Sequence, residues 1–338
     1  MHESKQGYRV AVVGVTGAVG EVMLDVLATR RFPVREVVAL ASPDSAGRQV
    51  QFGDRSIRVT DLAGFDFSGW DLALFSAGGR VSAEHAPRAA AAGCTVIDNT
   101  SHFRMDPAVP LVVPEVNGHV LDDFRGGIIA NPNCSTIQML LAVAPIHRAV
   151  GVARINVSTY QSVSGAGRAA MDELARQSAD RFNFREPEPK AFAQPIAFNV
   201  IPLIDRLEDN GYSREEMKMH RETRRILGSE TISVNATAVR VPVFIGHGEA
   251  VHLETEAPID LSQVRRLLTA APGVVLLEGE RQATPLVDGS GSDAVIVSRL
   301  RVDHSHPRGL DFWVVADNLR KGAALNAIQI AERLISRN

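Results

Sequence analysis

Cys134 lies in Asn131-Pro132-Asn133-Cys134-Ser135-Thr136. The apolar run Ile128-Ile129-Ala130 before it reads as a buried strand, and Ile137 to Ala144 after it reads as a helix. Asn-Pro punctuates the turn between them. Cys134 therefore falls at a helix start. Unpaired N–H groups and the positive end of the helix dipole favour a thiolate there, and the thiolate is the nucleophilic form. A small buried cysteine that only packs is the alternative. Other groups of the right type are spread along the chain. Arg104 is a lone cation in the loop Asn99 to Met105. Glu215 and Lys218 are three apart, so they share a helix face, with a surface ion pair as the plain alternative. Arg240 sits near the end of a long alternating run, and His247 lies between that run and the next.

The elements that would position these groups divide into two kinds. In the first half, Tyr8 to Val13 reads as a buried parallel strand and runs into Gly14-Val15-Thr16-Gly17-Ala18-Val19-Gly20. Val19, Val22, Met23, Val26 and Leu27 then recur at helical spacing. A strand, a glycine-rich turn and a helix in that order form a dinucleotide-binding context. A tight turn with no ligand is the alternative. Further strands are expected at Val37–Leu40, Asp71–Phe75 and Thr95–Ile97. Repeated βα units imply a doubly wound sheet with ligands at the carboxyl ends of its strands. Ser76, Ala77, Gly78 and Asn99 occupy such ends, and Cys134 also follows a strand.

The second half alternates apolar and polar residues, as half-buried strands do. Such runs cover Arg154–Tyr160, Thr231–Val243, Gly248–Glu254, Ala294–Leu300 and Phe312–Val315. The first leads into the small-residue loop Gln161 to Gly167, which could lie against a ligand or simply turn the chain. Residues 180–199, rich in Pro, Phe and charge, read as a surface excursion, either a lid or a dimer contact. Ser213 and Glu216 have the spacing of a capping box. A mixed, largely antiparallel sheet with helices is expected, closed by an amphipathic helix from about Lys321 to Arg337.

Composition narrows the class. The chain has 338 residues, 45% hydrophobic and 22% charged, with a net charge of -3. That balance favours a soluble protein and gives no pull toward nucleic acid or an anionic membrane. No run could span a bilayer, and Met1 to Gly7 lacks an apolar signal region. Two cysteines are too few for a disulfide framework, so a cytoplasmic location is expected. The histidines have no paired-cysteine spacing, and no metal is expected.

Taken together, the chain resembles the aspartate-β-semialdehyde dehydrogenases of the bacterial type, over essentially its whole length. The resemblance rests on residues 14–20, Phe103-Arg104-Met105, Pro110 to Asn117 and Asn131 to Thr136. It continues through Tyr160 to Gly167, Glu215 to Lys218, Arg240 to Val243, His247 and Asn318 to Ala327. It implies NADPH-dependent reduction of L-aspartyl-4-phosphate to the semialdehyde and phosphate, on the route to lysine, methionine and threonine. It implies Cys134 as nucleophile, His247 as acid/base and Gln161 as the group that orients the reacting carbonyl. Arg240 would hold the substrate carboxylate and Glu215 would face its amino group. Arg104, Lys218 and Asn133 would hold phosphate. The cofactor would lie on Gly14, Thr16, Gly17, Ala18, Val19, Ser42, Ser45, Ser76, Ala77, Ser164, Gly165 and Asn318. The resemblance also implies a discontinuous NADP-binding domain (1–133 and 319–338), a catalytic and dimerisation domain (134–318), and a homodimer or a dimer of dimers.

Two rivals remain at this level. N-acetylglutamyl-phosphate reductases run the same chemistry, but a carboxylate such as Glu215 suits a free amino group better than an acetylated one. A silent dinucleotide-binding paralogue would be expected to lack Cys134 or His247. NADP is expected over NAD because the second strand ends Leu40-Ala41-Ser42, with no acid to hold ribose hydroxyls. The family often has arginine where this chain has Asp44. Asp44 is expected to turn outward, leaving Ser42, Ser45 and Arg48 to meet the 2′-phosphate.

Overall fold

A computed structural model of the chain describes residues 7–336. The chain divides into two compact units, Met1–Pro132 with Ala323–Asn338, and Asn133–Gly322.

The first unit begins with β1 (Tyr8–Val13), whose run Val10–Val13 is fully buried. Burial on both faces is what a central parallel strand requires, and it explains the unbroken apolar sequence. There follow α1 (Ala18–Thr29), β2 (Val34–Ala41), β3 (Gln49–Phe52), β4 (Arg55–Asp61), β5 (Leu72–Phe75), α2 (Gly79–Ala91), β6 (Thr95–Asp98), α3 (Pro114–Asn117) and β7 (Ile128–Ala130). The strands form one sheet in the order β3-β4-β2-β1-β5-β6-β7. All neighbours are parallel except β3 and β4. The chain builds outward from β1 in both directions, so the topological switch lies between β1 and β5. Two glycines of the β1–α1 turn are sterically required. Gly14 has φ +85°, and a Cβ on it would lie 2.4 Å from the Ser76 carbonyl oxygen. A Cβ on Gly20 would lie 2.3 Å from the Gly14 oxygen, so Gly20 lets α1 pack against the turn.

The second unit opens with α4 (Cys134–Val150) and β8 (Val152–Gln161). Ser135 to Ala144 are all buried, as in a helix enclosed on every side. Next come α5 (Arg168–Phe182), α6 (Arg214–Leu227), β9 (Ser233–Arg240), β10 (His247–Thr255), α7 (Leu261–Ala270), β11 (Val274–Leu276), β12 (Val295–Val302) and β13 (Gly309–Ala316). Their order is β11-β12-β13-β10-β8-β9. The three inner pairings are antiparallel and the two outer ones parallel. Ile155, Val157, Thr159 and Gln161 on β8 are buried alternately, so one face of the sheet is covered. Ser213 and Glu216 form the expected capping box at the start of α6. Residues 183–199 contain neither helix nor strand. Buried Gln177 of α5 anchors this excursion by accepting from the N–H groups of Ile196 (2.8 Å) and Ala197 (3.1 Å).

The last helix, α8 (Leu325–Ile335), belongs to the first unit. Expected from about Lys321, it starts later because Arg320–Ala324 forms a wider turn first. Arg337 lies outside the described residues. Leu325, Ala327, Ile328 and Ile330 join the core built on Val10, Val12, Leu24 and Leu27. Asn326 donates to the Val112 carbonyl (3.0 Å) and to Asn131 Oδ1 (2.7 Å). Among the described residues, no helix is long and apolar enough to cross a membrane.

Candidate active site

α4 begins at Cys134 because Asn133 caps it. The Asn133 side-chain oxygen accepts from the N–H groups of Ser135 (3.1 Å) and Thr136 (3.2 Å). Its amide nitrogen donates to Glu215 Oε1 at 2.8 Å, and its main-chain N–H donates to Glu222 Oε2 at 2.6 Å. Asn133, expected on phosphate, is therefore engaged as cap and as partner to two carboxylates.

Cys134 Sγ lies 3.3 Å from His247 Nε2. His247 is the first residue of β10 and is fully buried. Burial, with the Arg240 cation beside it, pulls the imidazole down to about 3, and Glu215 opposes them. The ring is therefore neutral near neutral pH. Its Nδ1 accepts from the Ser162 N–H at 3.0 Å.

Arg240, at the end of β9, is buried and donates through Nη1 to the Ser162 carbonyl at 2.7 Å. Gln161, at the end of β8, donates to Glu215 Oε1 at 3.3 Å. Lys218 Nζ donates to Glu215 Oε2 at 2.8 Å and to Asp205 at 3.2 Å. Burial alone would raise the Glu215 carboxyl, but Lys218, Asn133 and Gln161 outweigh it and hold it at about 2. The result is a thiol, a neutral imidazole, a guanidinium and an ionised carboxylate within one unit. Such a set can attack an activated acyl carbon and hold both ends of a zwitterionic substrate.

Ser164, Gly165 and Asn318 are also in this unit. A Cβ on Gly165 would lie 2.9 Å from Arg240 Nη1 and 3.5 Å from His247 Nε2, so only glycine leaves these two undisturbed. Asn318 Oδ1 accepts from Ser162 Oγ (3.0 Å), Ser164 Oγ (3.1 Å) and the Gly246 N–H (2.8 Å).

Arg104 is in the first unit. It is buried, with Nε donating to the Asn131 carbonyl and Nη2 to the Asn99 carbonyl, both at 2.9 Å. At the carboxyl ends of that unit's strands lies a cavity of about 420 Å³. Gly14, Thr16, Gly17, Ser42, Ser76 and Ala77 line it, as do Ala41, Asp61 and His85. Gly14, where a side chain would strike backbone, and Ser42 at the tip of β2 suit a dinucleotide's close approach. Ala18, Val19 and Ser45 lie outside this lining. Ser45 is buried in the short turn Pro43–Ser45, and Asp44 and Arg48 are exposed.

Several contributors escape sequence reasoning. Ser162 reads only as part of a small-residue loop, yet its main chain holds both His247 and Arg240. Gly322 falls within the stretch Asn318 to Ala327, but its reason is spatial: a Cβ there would lie 2.8 Å from Cys134 Cβ. Glu249 on β10 is fully buried, and neither of its carboxyl oxygens has a hydrogen-bonding partner. Burial pushes its carboxyl well above the ordinary range, against the opposing influence of Gln138 and Ser135.

Two family models match the chain. The semialdehyde dehydrogenase NAD binding domain covers residues 9–124, and the semialdehyde dehydrogenase dimerisation domain covers residues 143–321. Aspartate-semialdehyde dehydrogenase 2 of Vibrio cholerae is 56% identical over 331 residues, 98% of this chain and 98% of that one. The aspartate-semialdehyde dehydrogenase of Legionella pneumophila is 55% identical over 329 residues, 96% of this chain and 95% of that one. The crystal structure of aspartate semialdehyde dehydrogenase II from Vibrio cholerae complexed with ASA superposes with a TM-score of 0.97, covering 98% of this chain and 99% of that one. On the site's geometry, the two matched domains and these near full-length identities, the chain belongs to the aspartate-semialdehyde dehydrogenase family of the bacterial type, oxidoreductases of amino-acid biosynthesis.

Proposed function

We propose that this enzyme reduces L-aspartyl-4-phosphate to L-aspartate-4-semialdehyde and phosphate, reversibly and with NADPH, through a thioester on Cys134. The observation that carries the reading is the 3.3 Å approach of Cys134 Sγ to His247 Nε2 at a capped helix start. The sulfur attacks the acyl carbon and phosphate departs, which divides one difficult step into two. The Cys134 N–H at the start of α4 would receive the oxyanion, the Ser135 and Thr136 N–H groups being taken by the Asn133 side chain, with His247 assisting as the acid/base partner. Gln161 orients the carbonyl, Arg240 grips the substrate carboxylate as a planar fork, and Glu215, held ionised, receives the amino group. Lys218 and Arg104 would serve phosphate, while Asn133 holds the helix start and Glu215.

NADPH, when bound, supplies the reducing equivalents for the thioester. Gly14, Thr16, Gly17, Ala18, Val19, Ser76 and Ala77 would hold it in the first unit, with Ser42 and Ser45 toward the 2′-phosphate. Ser164, Gly165 and Asn318 would hold it in the second. The dimerisation-domain match supports a homodimer, a dimer of dimers is the further assembly the resemblance implies, and the two cysteines suit a reducing cytoplasm.

The test is NADP reduction with aspartate semialdehyde. Turnover should depend on inorganic phosphate and disappear in Cys134→Ser. Turnover without phosphate, or persisting in that variant, would remove the thioester. Sedimentation of the intact protein reads the oligomeric state.

A further inference from the structure

We infer that Asp61 is a specificity-determining residue for the dinucleotide: its carboxylate accepts from the exocyclic amino group of adenine, in a pocket that His85 helps to wall. The inference rests on the cofactor site proposed above and names what that site requires of the base. Along the first sheet the strand order runs β4-β2-β1-β5. The pyrophosphate belongs at the β1–α1 turn, where Gly14 lets the backbone come close. Ser42, just past β2, is the next group outward, toward the 2′-phosphate. One strand farther out is the tip of β4, where Asp61 is the last residue and pairs with Ala41. A dinucleotide laid along that edge brings its base to Asp61.

The pocket there is held in shape by one guanidinium. Arg88 on α2 donates through Nη1 to the Ala63 carbonyl (3.1 Å) and through Nη2 to the Phe65 carbonyl (2.8 Å). The same Nη1 lies 3.0 Å from His85 Nδ1. Arg88 thus ties the loop after β4 to α2, and both line the cavity. Leu62, Ala63 and Val81 give it apolar walls suited to the faces of a flat base.

Its polar groups form a pattern. Asp61 Oδ1 accepts from the Ala63 N–H at 3.0 Å, which leaves Oδ2 as an acceptor. Burial lowers the His85 imidazole, against Glu84, with Arg88 adding to it and Asp61 opposing, so the ring is neutral near neutral pH. A guanidinium can only donate, so Nδ1 accepts from Arg88 and the one ring proton is on Nε2. Glu84 Oε1, 3.6 Å from Nε2, is beyond hydrogen-bonding range. The cavity therefore offers an acceptor and a donor. Adenine presents an amino group at C6 beside an unprotonated N1, which matches both. A 6-oxo purine presents a carbonyl beside an N1–H, which sets acceptor against acceptor and donor against donor.

Direct binding to the intact protein tests this without substrate, read by the fluorescence of the reduced nicotinamide. The ligands are NADPH and its 6-oxo analogue, in which hypoxanthine replaces adenine. NADPH should bind more tightly by about tenfold, the scale of one hydrogen bond to a charged group. Asp61→Asn keeps an oxygen for the Ala63 N–H and presents an amide donor in place of Oδ2. It should weaken NADPH and strengthen the analogue, so that the preference is lost or reversed. Equal binding of the two by the unaltered protein overturns the proposal, and that measurement needs no variant to fold. A preference that Asp61→Asn leaves unchanged overturns it too; a shift in NADPH against NADH alone would assign Asp61 to the ribose instead. Failure of either ligand to bind would remove the cofactor site itself, a result distinct from equal binding.

Discussion

The two cysteines differ in a way that labelling can read. Cys94 is buried just ahead of β6, where burial, with Asp71 nearby, pushes its thiol up to about 12. Cys134 is partly accessible at a helix start. Iodoacetamide should modify Cys134 first and abolish activity, with Cys94 far slower because it is buried and its thiolate is disfavoured. Preferential labelling of Cys94 with activity retained, seen by mass spectrometry, would contradict this. Arg240→Lys should lower kcat/KM by about 2–3 kcal/mol, because lysine keeps the charge and loses the fork. Near-normal kinetics would remove Arg240 from the carboxylate site. Glu249 gives a prediction of opposite sense, a gain. Its folded carboxyl stays protonated at pH values where the unfolded one ionises, so the folded state binds the extra proton and stability falls as pH rises above the ordinary value of 4.5. Glu249→Gln should therefore raise the thermal midpoint near neutral pH, with the advantage shrinking toward pH 4.5. A midpoint lowered equally at both pH values would mean that the acid itself is needed.

Among the elements, two turns set the terms. The turn Arg320–Ala324 passes so close to Cys134 that only glycine fits at 322. Gly322→Ala should push Cys134 by a few tenths of an ångström and, if the proposed thioester holds, lower kcat by roughly tenfold or more with a smaller effect on KM. Steady-state kinetics alongside circular dichroism separates that from misfolding, and an unchanged kcat would show that the turn yields freely. The loop after β2 is where the proposed choice of NADP over NAD would be made. Ser42 lines the dinucleotide cavity and Asp44 is exposed. NADP should be preferred over NAD, but weakly, with measurable NAD activity. Asp44→Arg should strengthen the preference by roughly fivefold, the upper end for an exposed ion pair. Comparing kcat/KM for both cofactors at fixed semialdehyde and phosphate decides it, and a preference for NAD in the unaltered protein would assign Asp44 to the ribose.

At the scale of the whole molecule, what could be read in advance was whatever short-range pattern determines. The glycine turn after β1, the capping box of α6 and the helix start at Cys134 each rest on a few adjacent residues. The doubly wound unit and the mixed sheet follow from strand type and order. Ser162 against His247 depends on strand pairing across 85 positions, and Gly322 against Cys134 depends on where a distant turn is laid down. Ser45 and Asp44 look equally available in a loop, and a turn of three residues buries one and exposes the other. The placement of α8 has a consequence for how the protein is made. The second unit, Asn133–Gly322, is continuous in sequence, whereas the first lacks Leu325, Ile328 and Ile330 in its core until the residues beyond Gly322 appear. On a ribosome, where domains ordinarily mature from the N-terminus, the order reverses here. The nucleotide-binding unit is begun first, and its core can be completed only after the whole of the catalytic unit has been synthesised.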